Sequence, residues 1–73
     1  MKAESVRYLA MLRIIAEKRR EDAVLHGFDG EVEHYDCVLD MVDEIAMMEG
    51  VAADMRAELA QCQREIESLE GEE

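Results

Sequence analysis

The sequence predicts an all-α protein: an antiparallel helical hairpin that dimerises into a four-helix, coiled-coil-like bundle. Three observations carry that expectation. Proline is absent from the 73 residues and aromatics number three, while Ala, Glu, Leu, Met and Arg dominate, a composition that favours helix throughout. One short segment, LHGFDGE at residues 25–31, punctuates the chain. Beyond it, apolar residues recur at heptad spacing over ten consecutive positions, the signature of a long packed seam. A chain of this length makes one domain, residues 1–73, and gains from a partner because a small core supplies little stability.

The first helix is expected over about residues 3–26. Its segment YLAMLRIIA is apolar on most of its circumference, with Tyr8, Leu9, Leu12, Ile15 and Ala16 as the main stripe. Met11 and Ile14 add apolar surface on another side, so one neighbouring helix would not cover it all. The following EKRRED is polar on nearly every side and is expected in solvent.

The hairpin loop follows from its residue types. Gly27 suits the left-handed conformation that ends a helix, and Phe28 suits the hydrophobic contact that accompanies such a stop. Asp29 is placed to cap the next helix, with Glu31 and Glu33 favourable in its first turn. So short a connection makes the flanking helices antiparallel neighbours.

The second helix is expected over about residues 31–69, on the order of 60 Å long at 1.5 Å per residue. Val38, Met41, Ile45, Met48, Ala52, Met55, Leu59, Cys62, Ile66 and Leu69 keep heptad phase without a stutter. In that phase Gly50 falls on the outermost position, where it costs roughly 1 kcal/mol of helix propensity and interrupts no core contact. The alternative is a three-helix bundle with a turn at Glu49-Gly50-Val51. A second stripe, Tyr35, Leu39, Val42 and Ala46, is matched in length to the first helix. The expected division of labour packs Tyr8, Leu9, Leu12 and Ile15 against that stripe and leaves the ten-residue seam for a second copy. Antiparallel pairing of the seams is favoured, because it sets Glu49 near Arg56 of the second copy. Parallel pairing would oppose Glu44 to Glu49 and Glu65 to Glu70.

Charge narrows the function classes. The formal net charge is −11, and residues 21–55 hold eleven acids and no lysine or arginine. Direct nucleic-acid binding needs clustered Lys and Arg and is not expected. No apolar stretch reaches the 18 residues of a membrane span, and no secretory leader is evident. Two cysteines fit a reducing compartment, so a cytoplasmic location is expected.

Catalytic and metal chemistry find little support. Ser5 and Ser68 lack a positioned histidine, and no glycine-rich phosphate loop occurs, so the chain is expected not to be an enzyme. Glu31 and His34 have the Glu-x-x-His spacing of di-iron bundles but lie at the open end of the seam. His26, His34, Cys37 and Cys62 lack the paired spacing of structural zinc sites. Neither metal nor cofactor is expected.

The remaining signal is the acid. Asp36, Asp40 and Asp43 fall on one helix face with Glu33 and Glu44 alongside, a surface suited to a basic partner. The expected function is a small acidic homodimer that binds and regulates, by inhibition, a second protein, occupying a basic or nucleic-acid-binding site. Its size and charge are of the kind found among viral and mobile-element regulators. The alternative is a scaffolding subunit of a larger coiled-coil assembly.

Overall fold

The computed structural model describes residues 1–71; the last two residues of the expected 1–73 domain lie outside them. The described residues form three helices, α1 (Ala3–His26), α2 (Asp29–Met48) and α3 (Ala52–Glu70). No strand occurs among them, so the all-α expectation holds. The three-helix arrangement with a turn at Gly50 is the one observed, and the continuous helix over 31–69 is not.

Both turns are built the same way. Gly27 ends α1 at φ 73°, the Phe28 N–H donates to the Ala23 carbonyl at 2.9 Å, and the Gly27 N–H donates to that of Val24 at 3.2 Å. Gly50 adopts φ 71°, the Val51 N–H donates to the Ala46 carbonyl at 2.9 Å, and the Gly50 N–H donates to that of Met47 at 3.1 Å. Each is a Schellman stop, which closes two orphan carbonyls of the helix end and needs a left-handed residue that glycine supplies without strain. This is the physical reason the long helix fails. The left-handed glycine and the buried Val51 that follows it make a stop more favourable than an exposed, solvated continuation.

The start of α2 also departs from expectation. Asp29 is its first helical residue and makes no capping hydrogen bond; the preceding cap position is Phe28. Asp29 and Glu31 still stand in the first turn, where they complement the positive end of the helix dipole. Phe28 is exposed and stacks on the His26 ring, centroids 5.6 Å apart.

α1 is the central element. It packs against both α2 and α3, which meet little beyond the turn that joins them, and the whole is flat, 36 × 36 × 14 Å. The core is Val6 and Ala10 of α1, Val42 and Ala46 of α2, Val51 at the turn, and Met55 of α3. Ala10 and Ala46 are 0% exposed, and Ala16 and Ala23 are also buried. Alanines at these positions let helix backbones approach closely, with Val6 and Ile14 the larger side chains of α1 buried beside them.

The hairpin assignment for α1 is therefore corrected. Tyr8, Leu12 and Ile15 are exposed, and only Leu9 of that expected set packs partly against the core. On α2, Val42 and Ala46 are buried and Tyr35 and Leu39 half-buried. The reason is helical phase: α2 and α3 together cover the side of α1 that carries Val6, Ala10, Ile14, Ala16 and Ala23, leaving the Tyr8 side open. No helix of the described residues is long and apolar enough to cross a membrane.

Candidate functional site

Two ion pairs fix how α1 lies on α2. Arg13 Nε donates to Asp43 Oδ1 at 3.0 Å, and Arg20 Nε donates to Asp36 Oδ1. Seven residues forward on α1 thus answer seven residues back on α2. Arg13 also bonds Glu17, one turn along its own helix. The hydrogen bond to Asp43 raises the Arg13 guanidinium above its ordinary value, with the Glu17 charge adding and partial burial opposing.

These pairs divide the expected acidic face. Asp36 and Asp43 are turned toward α1 and neutralised by Arg20 and Arg13. Glu33, Asp40 and Glu44 are exposed, and none of them makes an ion pair among the described residues. By helical spacing the three form one stripe on the outer edge of α2, opposite the side that meets α1. The stripe is thus narrower than the five residues read from sequence, and it is the part that carries free negative charge.

The ten-residue seam is divided as well. Met55 and Cys62 are buried, and Val38, Ala52 and Leu59 pack partly against the same core. Ile66 is half-buried beside Cys62, where it lines a groove of about 140 Å³ between α1 and α3. Arg7 and Glu65 close one edge of that groove with a 2.9 Å ion pair. These seam residues are spent on packing within one chain. Met41, Ile45, Met48 and Leu69 remain exposed.

What remains exposed lies on one face of α1 and one face of α2, with Ile15 also at the edge of the α1–α3 groove. Tyr8, Leu12 and Ile15 stand at i, i+4 and i+7 of α1, and Met41, Ile45 and Met48 at the same spacing on α2, so each trio shares one helix face. The register set by the two ion pairs brings Tyr8 level with Met48, Leu12 with Ile45, and Ile15 with Met41. α3 covers the opposite side of the hairpin, where Arg13, Asp43 and Met47 line a cleft with Ala52, Met55 and Leu59. Tyr8 is 70% and Met48 79% exposed. The main apolar stripe of the first helix is thus the open one, while its second apolar side, Met11 and Ile14, found the further neighbour it asked for in α3.

Chemistry-bearing residues do not converge. Among the described residues no three His, Cys, Asp or Glu side chains gather to hold a metal ion. His34 is exposed and packs edge-on to Tyr35, centroids 5.0 Å apart, while Cys37 is exposed on α2 and Cys62 buried on α3. The His26 ring Nδ1 lies 2.8 Å from the Asp22 carbonyl. Comparison with protein-family models, with curated proteins and with solved structures found no match to this chain.

Proposed function

We propose that the chain is a non-enzymatic, homodimeric regulator that binds another protein through the outer acidic edge of α2 and inhibits it by occupying a basic or nucleic-acid-binding surface. The observation that carries this reading is the stripe of Glu33, Asp40 and Glu44, exposed and free of ion pairs among the described residues. The neighbouring Asp36 and Asp43 already have arginine partners. A rigid helix edge bearing free carboxylates attracts basic surfaces and speeds encounter with them. It does so more as a specificity device than as a source of raw affinity.

The test is capture from cells of the source organism by the tagged full chain, compared with a Glu33→Lys/Glu44→Lys variant. Both substitutions sit at exposed positions and leave the Arg13–Asp43 and Arg20–Asp36 pairs intact. The expected result is a protein retained by the wild type, released by raised salt, and absent from the variant eluate. Equal retention by a variant of unchanged helicity refutes the acidic edge as the binding surface. For a captured protein with nucleic-acid-binding activity, titration with the wild-type chain is expected to abolish that activity.

A further inference from the structure

We infer that the cleft between α2 and α3 seats a basic amphipathic helix of the regulated protein, with its apolar face on Met47 and Leu59 and its lysines or arginines on the acidic edge of α2. The inference rests on the proposed function and names the element of the partner that the edge receives. α2 and α3 meet little beyond their turn, so they leave between them, over α1, a cleft of about 460 Å³. Met47, Ala52, Met55 and Leu59 supply its apolar lining, and the Arg13–Asp43 pair lies among them. Met47 is 75% exposed, an apolar side chain left open on the cleft wall. Methionine fits irregular shapes because its thioether chain is flexible and polarizable, which suits a wall that must mould to a partner. An apolar groove between helices is the form that receives the apolar face of a further helix.

Charge selects the occupant. Asp40 and Glu44 stand seven and three residues before Met47, so the free carboxylates are neighbours of the cleft wall on one helix face. Asp43, which lines the cleft, is held by Arg13, and this leaves the free charge on the rim above the apolar lining. α2 holds no lysine or arginine, so nothing on that rim opposes a basic side chain. The α3 rim differs. Arg56 lines the cleft there, is exposed, and makes no ion pair among the described residues. The fitting helix therefore carries its bases on the flank that meets α2 and none on the flank that meets Arg56. A second copy's α2 in the same seat would set acid against acid, which complementary interfaces avoid.

A synthetic leucine–lysine amphipathic helix bearing one tryptophan tests the proposal. The full chain has no tryptophan, so the emission reports on the peptide alone. The wild-type chain is expected to shift that emission to the blue. It should bind the peptide about tenfold more tightly than a lysine–glutamine helix of equal charge, since buried apolar anchors dominate such interfaces. Met47→Lys is expected to cost about tenfold at unchanged helicity, Met47→Leu to keep the affinity, and Asp40→Lys to cost about two- to fivefold at low salt. Arg56→Glu has the opposite sign: it should tighten the peptide about two- to fivefold. Arg64→Glu, the same charge change at an exposed α3 position outside the cleft lining, should do less. Where Met47→Lys loses helicity, the comparison of Arg56→Glu with Arg64→Glu decides. Absence of a blue shift, equal affinity for the two peptides, or equal effects of the two arginine reversals overturns the cleft. A wild-type dimer that Met47→Lys dissociates in sedimentation gives the cleft to a second copy and overturns the partner helix. In capture from cells, a protein lost by Glu33→Lys/Glu44→Lys but kept by Met47→Lys refutes the cleft alone, whereas one kept by both variants refutes the acidic edge as well.

Discussion

Replacing Gly50 by alanine distinguishes the two architectures by the sign of its effect. Gly50 holds φ 71°, and a Cβ built there meets nothing within 4 Å, so space is not the issue. The cost is backbone strain: an L-residue in the left-handed region is disfavoured by roughly 1–2 kcal/mol. Alanine also narrows the unfolded ensemble, which returns about 0.4–1 kcal/mol. The net expectation is a loss of about 1 kcal/mol, or some 4–8 °C in Tm for a domain of this size. A continuous helix through residue 50 would instead gain about 1 kcal/mol, the difference in helix propensity between the two residues. Thermal melts followed by far-UV circular dichroism, at one fixed protein concentration, measure the sign directly. Gly27 is an internal standard, because it has φ 73° and equally open surroundings, so Gly27→Ala should lower Tm by a similar amount. A rise in Tm for Gly50→Ala alongside a fall for Gly27→Ala would refute the turn at residue 50.

Further expectations follow from the core and its ion pairs. Val42, 2% exposed at the centre of the cluster, should cost about 2 kcal/mol when cut to alanine, read as a lowered denaturant midpoint at unchanged slope. Enlarging Ala46, which is 0% exposed, to leucine should destabilise by about 1–3 kcal/mol through overpacking; a neutral result would mean the helices are not in close contact there. The Arg13–Asp43 pair is partly exposed, so a double-mutant cycle to alanine should give a coupling of no more than about 1 kcal/mol that shrinks as salt is added. Cys62 is 5% exposed and should react with a thiol reagent only through opening of α3; labelling of Cys62 as fast as that of a free thiol would contradict its packing against α1.

Helix content and the first turn were legible because they depend on local chemistry. Gly27 stands just before a loop-forming FDG and outside any sustained apolar repeat, and nothing competes with its role as a stop. Gly50 carries the same chemistry but stands inside an unbroken apolar repeat, and a repeat of seven is blind to a turn that returns the chain in phase. Met41, Ile45 and Met48 keep phase with Met55, Cys62 and Ile66, yet the first trio faces outward while the second packs on α1. The core of α1 was misplaced for a different reason. The apolar stripe of Tyr8, Leu12 and Ile15 drew the weight, whereas the buried side of α1 is Val6, Ala10, Ile14, Ala16 and Ala23, where three small alanines let the helices approach closely. The Arg20–Asp36 contact was accessible from level alone, since a hairpin with a known turn fixes which residues pass one another. The narrowing of the acidic face from five residues to Glu33, Asp40 and Glu44 was not, because it depends on the direction in which each carboxylate turns.

The spare contact between α2 and α3 sets an order of loosening. α3 is held mainly by α1, at the apolar positions Met55, Cys62 and Ile66, so it can peel away without disturbing the hairpin beneath it. Its amides are therefore expected to exchange with solvent hydrogen through a smaller opening than those of α1 and α2 around Ala10 and Ala46. α3 thus acts as a clasp over one side of the α1–α2 hairpin. Each opening of that clasp bares Val6, Ala10 and Ile14, and the chain then carries a transient apolar strip on the side of the hairpin opposite its permanent one.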